Sequence, residues 1–405
     1  MHKAGIKNIL FITIAWPASG EKNLYSDLMD EFVRQGHKVY VAGNQTSKDP
    51  AAPFRAEEKG ITVLRIRTGK IRKASYLQKA LSLLTLGRKI SKALKVYLDG
   101  VTIDLIIAPT PPITLSFLYK NLKKKYGAPF YLLLKDMWPQ GSVDLRVFRK
   151  YSIPWIFFRS HEIRIYKLAD YIGCMSPLGI SYILKNNSFI PERKLEVCPN
   201  SIHPAVMAQA EGSAEIRSKY NIPTDACVFI FSGNLGVGHG LHFLVEAIRA
   251  LSDYPKAYFI IGGSGTHFKY LESGFSEFSP KNALLYNWLP REDFVDILKT
   301  SDVGLILLYK YTSPQFPSRI LSYLEYSKAT LCAVNASTDI GEIVESTGSG
   351  LSVEHGNLEE FIKSIKYLSE HPSERKKMGE NGHKLLMDQF TVEKGYGIIT
   401  NHFQK

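Results

Sequence analysis

The chain has 405 residues, 45% of them hydrophobic and 22% charged. That is too long for one ordinary core, comfortable for two α/β domains, and neither disordered nor fibrous in composition. The net charge of +13 is uneven: residues 1–200 hold 32 Lys and Arg against 15 Asp and Glu, leaving 19 against 23 beyond. The basic half is expected to face a polyanion or an anionic membrane surface.

No run approaches the ~20 apolar residues that span a bilayer, which argues against an integral membrane protein. Lys3 and Lys7 precede the apolar run Ile9–Trp16. The run is short and no small-x-small cleavage site follows, so a first buried strand is expected rather than a leader, and with it a cytoplasmic protein. Cys174, Cys198, Cys227 and Cys332 are scattered, form no C-x-x-C or metal spacing, and read as buried free thiols.

In chain order, Ile9–Ala15 reads as a strand, followed by a loop with Pro17, Ser19 and Gly20. Apolar spacing of three and four predicts a helix over Leu24–Gln35, closed by Gly36. Strands are predicted at His37–Ala42 and Ile61–Ile66, a long helix at Tyr76–Leu98, and a strand at Ile103–Ala108 ending in Pro109–Pro112. Phe130–Leu134 is a strand running into Lys135-Asp136-Met137-Trp138-Pro139. Tyr171–Met175 and Leu195–Cys198 complete a first sheet.

Pro199–Gly212 has turn residues and no period, and marks a boundary. The pattern then restarts with a strand at Cys227–Phe231, a Gly-rich loop at Ser232–Gly240 and a helix at Leu241–Leu251. Strand Tyr258–Ile261 precedes Gly262–Gly265. Strand Ala283–Tyr286, helix Arg291–Lys299 and strand Val303–Leu308 follow. Helix Ser318–Tyr326, strand Thr330–Ala333 and a helical tail from Leu358 close the chain. The expected fold is α/β: two Rossmann-like doubly wound parallel-sheet domains facing across a cleft, residues 1–200 and 201–386, with the tail 387–405 packing back on the first.

Ligands of open α/β sheets bind beyond the carboxyl ends of the strands. Four loops of the second domain fall there: Ser232–Gly240, Gly262–Gly265, Asn287–Pro290 and Gln315–Arg319. Their glycines and helix starts suit a phosphate-bearing ligand, although a strand-to-helix turn also needs glycine for geometry alone. Pro317 and Ser318 suit a helix start, with Arg319 beside it and Glu325 two turns on near the face of Ser318 and Arg319, placed to hold ribose hydroxyls or simply exposed. No Asp-x-Asp pair or dense His/carboxylate cluster is present, so neither metal nor cofactor is expected.

These residues resemble family 4 of the retaining glycosyltransferases, the two-domain kind called group 1 (GT-B). The likeness is carried by Phe231–Gly236 with His239-Gly240-Leu241, Ile261–Gly265, Trp288–Phe294, Ser301–Leu305, Pro317–Glu325, and Gly341–Val344 with Gly348–Leu351. In the first half Asp136-Met137-Trp138-Pro139 is similar to the D-x-W-P segment of the branch that builds capsule, exopolysaccharide and O-antigen, and Lys194–Asn200 to the family's hinge. The resemblance implies donor-binding roles for Gly233, Asn234, Gly236, His239, Gly263, Gly265, Trp288, Leu289, Ser318, Arg319 and Glu325. Asp136, Arg319 and Glu325 are the catalytic candidates, and Ser19 and Gly20 an acceptor-side loop.

The family's paired glutamates are incomplete, because Pro317 occupies the first position. Asn234 and His239 stand where many members have Arg and Lys. The resemblance therefore implies that Arg319 carries most of the positive charge on the leaving group. His239 acts either protonated or as a neutral hydrogen-bonding group.

The implied reaction is metal-independent sugar transfer with retention from a nucleotide-diphosphate sugar, UDP by resemblance, to a glycan or polyprenyl-diphosphate-linked acceptor. The helix Tyr76–Leu98 with Lys79, Arg88, Lys89, Lys92 and Lys95, the cluster Lys123–Lys125, and Arg146–Lys167 with Trp155, Phe157 and Phe158 suit an anionic membrane at the inner face of the cell. Core packing and solvated lysines explain the same residues without a partner. Alternatives are a nucleotide-sugar 2-epimerase, a phosphorylase-like enzyme, an NAD-type oxidoreductase, which lacks G-x-G-x-x-G after its first strand, and a nucleic-acid-binding protein, for which no recognition element is present.

Overall fold

A computed structural model describes residues 7–45, 54–67, 76–205, 213–287, 291–309, 311 and 313–403. Contacts divide the chain into two compact units: residues 1–203 with 390–405, and residues 204–389.

The first unit contains β1 (Asn8–Ile12), α1 (Leu24–Arg34), β2 (Lys38–Asn44), β3 (Arg55–Glu58), β4 (Ile61–Ile66), α2 (Tyr76–Tyr97), β5 (Leu105–Pro109), α3 (Ser116–Tyr126), β6 (Phe130–Leu134), α4 (Gln140–Asp144), α5 (Ile153–Leu168), β7 (Tyr171–Cys174), α6 (Pro177–Asn186) and β8 (Leu195–Val197). The sheet runs β3-β4-β2-β1-β5-β6-β7-β8. Its central strands are apolar throughout because helices cover both faces: Leu10, Ile12 and Ile106 enter one core, Ile9, Phe11 and Ile107 the other. The sheet is not wholly parallel as expected. β3 pairs antiparallel with β4, Arg55 opposite Leu64. Its sequence, Arg-Ala-Glu-Glu, buries no face at the sheet edge and so carries no apolar signal.

The second unit contains α7 (Ser213–Lys219), β9 (Cys227–Asn234), α8 (Leu241–Ala250), β10 (Ala257–Ser264), α9 (Phe268–Phe278), β11 (Ala283–Tyr286), α10 (Arg291–Thr300), β12 (Val303–Leu307), α11 (Arg319–Glu325), β13 (Ala329–Val334), α12 (Ile340–Ser346), β14 (Gly350–Glu354), α13 (Leu358–Glu370) and α14 (Pro372–Gln389). Its sheet, β11-β10-β9-β12-β13-β14, is parallel throughout. The strand order reverses between β9 and β12, and this switch point is where such sheets bind ligands.

The last helix, α15 (Val392–Thr400), packs in the first unit. Ile399 enters its core, the Tyr396 hydroxyl meets His37 Nε2 at 2.8 Å, and His402 Nε2 meets Glu196 Oε2 at 2.8 Å.

α2 explains much of the basic signal plainly. Leu86, Ile90 and Leu94 are buried, whereas Arg88, Lys89, Lys92 and Lys95 face solvent; the side chain of Lys79 lies outside the described residues. All four cysteines are free and buried. Among the described residues no helix is long and apolar enough to cross a membrane, and no group of three or more His, Cys, Asp or Glu is placed to hold a metal.

Candidate functional site

In the second unit the site is built at the β9/β12 switch point. The strands there run further than their sequence suggests. Gly262, Gly263 and Ser264 pair with Ser232, Gly233 and Asn234, so much of the two expected loops is sheet. A Cβ on Gly263 would collide with the Gly233 carbonyl, and one on Gly265 with that of Leu235. Close backbone approach therefore accounts for both glycines without any ligand. The loop proper begins at Leu235, makes a 3-10 turn over Val237–His239, and reaches α8 through Gly240 in the left-handed region. Asn234 is exposed and Gly236 half-buried in this loop.

Arg319 stands over this strand end. Its guanidinium lies 4.0 Å from the Phe231 ring centroid, and a Cβ on Gly233, whose φ is +110°, would be 3.9 Å from Nη2. Nη2 donates to His239 Nε2 at 3.2 Å. His239 Nδ1 lies 2.9 Å from the Leu307 carbonyl, which can only accept, so Nδ1 carries the proton and Nε2 is the lone-pair acceptor. Burial and the neighbouring Arg319 lower the His239 pKa to about 4. The imidazole is thus a neutral orienting group for Arg319 and not a second cation.

The other terminal nitrogen, Arg319 Nη1, is buried without a hydrogen-bond partner. Burial lowers the Arg319 pKa below its ordinary value, yet an arginine remains charged. A buried cation without an anion is costly, and among the described residues no carboxylate forms an ion pair with it.

The helix behind Arg319 is held by Tyr323, fully buried, whose hydroxyl donates toward the carbonyls of Ile230 (3.2 Å) and Leu305 (3.3 Å), one on each switch-point strand. Sequence reading missed Phe231 and Tyr323 as site residues. The signal was present: an aromatic residue ends the apolar run of β9, and Tyr323 lies four residues, about one turn, beyond Arg319.

Two expectations about α11 need correction. The helix begins at Arg319, and Ser318, exposed and in helical geometry, makes no side-chain cap. Nor do Arg319 and Glu325 share a face, because six residues turn an α-helix by about 240°. Glu325 is half-buried and its Oε1 accepts the Ala205 N–H at 2.9 Å. Trp288 and Leu289 lie outside the described residues.

In the first unit the strand order reverses between β1 and β5. The loop after β1 carries Ser19 and Gly20, both exposed in a turn closed by Glu21 N–H to the Ala18 carbonyl. Buried Arg65 anchors it, donating to the Pro17 carbonyl at 3.0 Å and to Glu58 at 2.6 Å. Asn23 ends it, capping α1 through the N–H groups of Tyr25 and Ser26 while Ser26 Oγ accepts the Asn23 N–H.

Asp136 follows β6. It does not cap α4, whose cap position is Pro139, and among the described residues nothing is hydrogen-bonded to its carboxylate. Solvent reaches this side chain, yet the surrounding protein removes enough water to raise its pKa, with Lys135 opposing.

The neutral His239 has a measurable consequence. Between pH about 4 and 6.5 the unfolded chain takes up a proton at this residue and the folded chain does not. Its contribution is complete above 6.5 and is lost as pH falls toward 4, on the order of 3 kcal/mol. His355, whose pKa burial also lowers, acts in the same direction. Urea unfolding at pH 4.5 and 7 should show a smaller difference for His239→Gln than for the parent chain. An equal difference would mean that the ring is not held neutral.

Known proteins share this architecture. A family model described as "Glycosyl transferases group 1" matches residues 212–385. WcaI of Escherichia coli K12, which carries the name of a colanic acid biosynthesis glycosyl transferase, is 23% identical over 153 residues, 37% of each chain. WbjE of Pseudomonas aeruginosa, which carries the name of a glycosyltransferase, is 23% identical over 254 residues, 61% of each chain. These matches span less than two thirds of either relative.

Among solved structures, sucrose-phosphate synthase of Thermosynechococcus elongatus aligns over 98% of both chains with a TM-score of 0.75 at 16% identity. Anabaena Alr3699/HepE in complex with UDP and glucose aligns over 98% of this chain and 99% of its own with 0.71 at 14%. At such identities the likeness establishes the fold, the two-domain GT-B type. Residues 212–385, with Arg319 at the switch point, match the model of the group 1 glycosyl transferases.

Proposed function

We propose that this chain is a retaining glycosyltransferase. It moves a sugar from a UDP-sugar, bound at the β9/β12 switch point, to a glycan or lipid-linked acceptor in cell-surface polysaccharide biosynthesis. One observation carries the reading: the buried, unpartnered Nη1 of Arg319, on a guanidinium set over Phe231 and oriented by a neutral imidazole. A diphosphate supplies the missing anion. Breaking the anomeric C–O bond leaves additional negative charge on that diphosphate, and a preorganised cation there lowers the barrier. The names of WcaI and WbjE and the UDP complexes of HepE support the donor and pathway class.

In this scheme Asp136 contacts the acceptor hydroxyl or the donor sugar, Ser19 and Gly20 border the acceptor, and Arg319 does the work a metal ion does elsewhere. The enzyme acts in the cytoplasm at the inner face of the membrane, where a lipid-diphosphate acceptor is presented.

A thermal-shift panel of UDP, GDP, ADP and their sugars should show one nucleotide stabilising the chain, UDP in the first instance. At 100 times its dissociation constant the gain is about 2.7 kcal/mol. EDTA should leave both the shift and turnover unchanged. No shift with any nucleotide would defeat the reading, and conversion of a nucleotide sugar without acceptor would identify an epimerase.

A further inference from the structure

The start of α5 inverts the usual burial pattern. Its second half is packed, with Ile165 and Tyr166 buried beside His161 and Glu162, whereas its first six residues, Ile-Pro-Trp-Ile-Phe-Phe, are mostly turned to solvent. Ile153 is 85% exposed, and Tyr151 in the preceding turn 69%. Val147, Ile156 and Phe157 are exposed as well, and Phe117 of α3 lies beside His161 at 6.0 Å between ring centroids. A contiguous apolar surface of this kind calls for an occupant.

The charges around it have one sign. Arg146, Arg149 and Lys150 are exposed in the turn, and Arg164 and Lys167 along the helix. Lys150 covers the Tyr151 ring at 5.0 Å, and Arg164 that of Phe117 at 5.1 Å. The two carboxylates of the segment are occupied: Glu162 is buried against Arg159, and Asp144 accepts from Gln140. Beneath the surface, Phe148 and Phe158 stack and both meet Trp138 edge-on, all within 6.0 Å between ring centroids, which ties the turn and the helix start to the loop carrying Asp136 two residues before Trp138.

We propose that residues 146–157 form a docking wedge for an anionic lipid surface. Ile153, Ile156, Tyr151 and Val147 enter the headgroup boundary, and Arg146, Arg149 and Lys150 meet lipid phosphates. A bilayer surface offers apolar and anionic partners in one plane. A second copy of this chain would set like charges against each other, and a nucleic acid would leave the aliphatic side chains uncovered. The wedge deepens the proposed function by naming the surface at which a lipid-linked acceptor reaches the Asp136 loop.

Cosedimentation of the full chain with vesicles tests it, comparing phosphatidylcholine alone with phosphatidylcholine containing phosphatidylglycerol at physiological salt. The anionic vesicles should bind at least ~10-fold more protein, and high salt should reduce the excess. Ile153→Asp with Ile156→Asp should lower binding ~10-fold. Arg149→Ser with Lys150→Ser should lower it comparably and flatten the salt dependence. Tyr151→Asn, chosen because Tyr151 has φ +65° and asparagine tolerates that conformation, should give a smaller loss with the least risk to folding. The UDP-induced thermal shift of each variant reports that the chain is folded.

Loss of vesicle binding with that shift retained supports the wedge. Parent protein that ignores anionic vesicles, variants that bind like the parent, or variants that only abolish self-association would each overturn it. Vesicle binding without any UDP shift would sink the donor reading and leave the wedge standing.

Discussion

Arg319→Ala should abolish the nucleotide-induced thermal shift and reduce turnover by about 10²–10³-fold, the usual effect of removing one preorganised charge-stabilising group. The unliganded protein should be as stable as the parent or more so. The parent buries Nη1 of a cation with no acceptor, and removing the side chain removes that penalty. This pairing of lost binding with retained or raised stability separates an anion-binding arginine from a structural one, whose removal would lower stability first. Arg319→Lys should recover little, because an ammonium lacks the planar face that lies on Phe231 and the separate nitrogen that donates to His239 while Nη1 stays free for the ligand. A full UDP shift in Arg319→Ala would refute the site.

Asp136→Asn should give the complementary phenotype, turnover lowered by about 10²–10⁴-fold with the UDP shift intact. The pH profile adds a signature. Desolvation raises the Asp136 pKa, so activity that needs its carboxylate falls at a higher pH than an ordinary aspartate would set. The amide does not titrate, so the residual activity of Asp136→Asn should lack that acid limb. Were the limb to persist, it would belong to another group and Asp136 would lose its role. Measuring kcat for both proteins between pH 4 and 8 decides this.

How much was legible beforehand differs from element to element. β9, β10, β12 and β13 were readable because strands buried on both faces need continuous apolar runs. Arg319 was readable because a Pro-Ser-Arg start followed by Ile320, Leu321 and Leu324 announces a helix with a cation at its entrance. β3 was not, because an edge strand of polar residues is specified by pairing with β4 and not by burial. Gly263 was read either as room for a phosphate or as a geometric need of the turn, and the structure shows it making room for the Gly233 carbonyl. Sequence alone does not distinguish these uses of glycine, since both demand only the absence of Cβ.

By itself, then, the sequence determined the alternation of strands and helices, the restart of that alternation in the second half, and the chemical types gathered near strand ends, all written in local periodicity and turn residues. Tertiary structure alone decided the charge state of His239, which depends on a carbonyl 68 residues away. It also decided that Glu325 meets Ala205 and that the apolar start of α5 stays uncovered. The reason is common to all three: a protonation state, a partner and an exposure belong to the surroundings of a side chain, and contacts between distant segments of the chain create those surroundings.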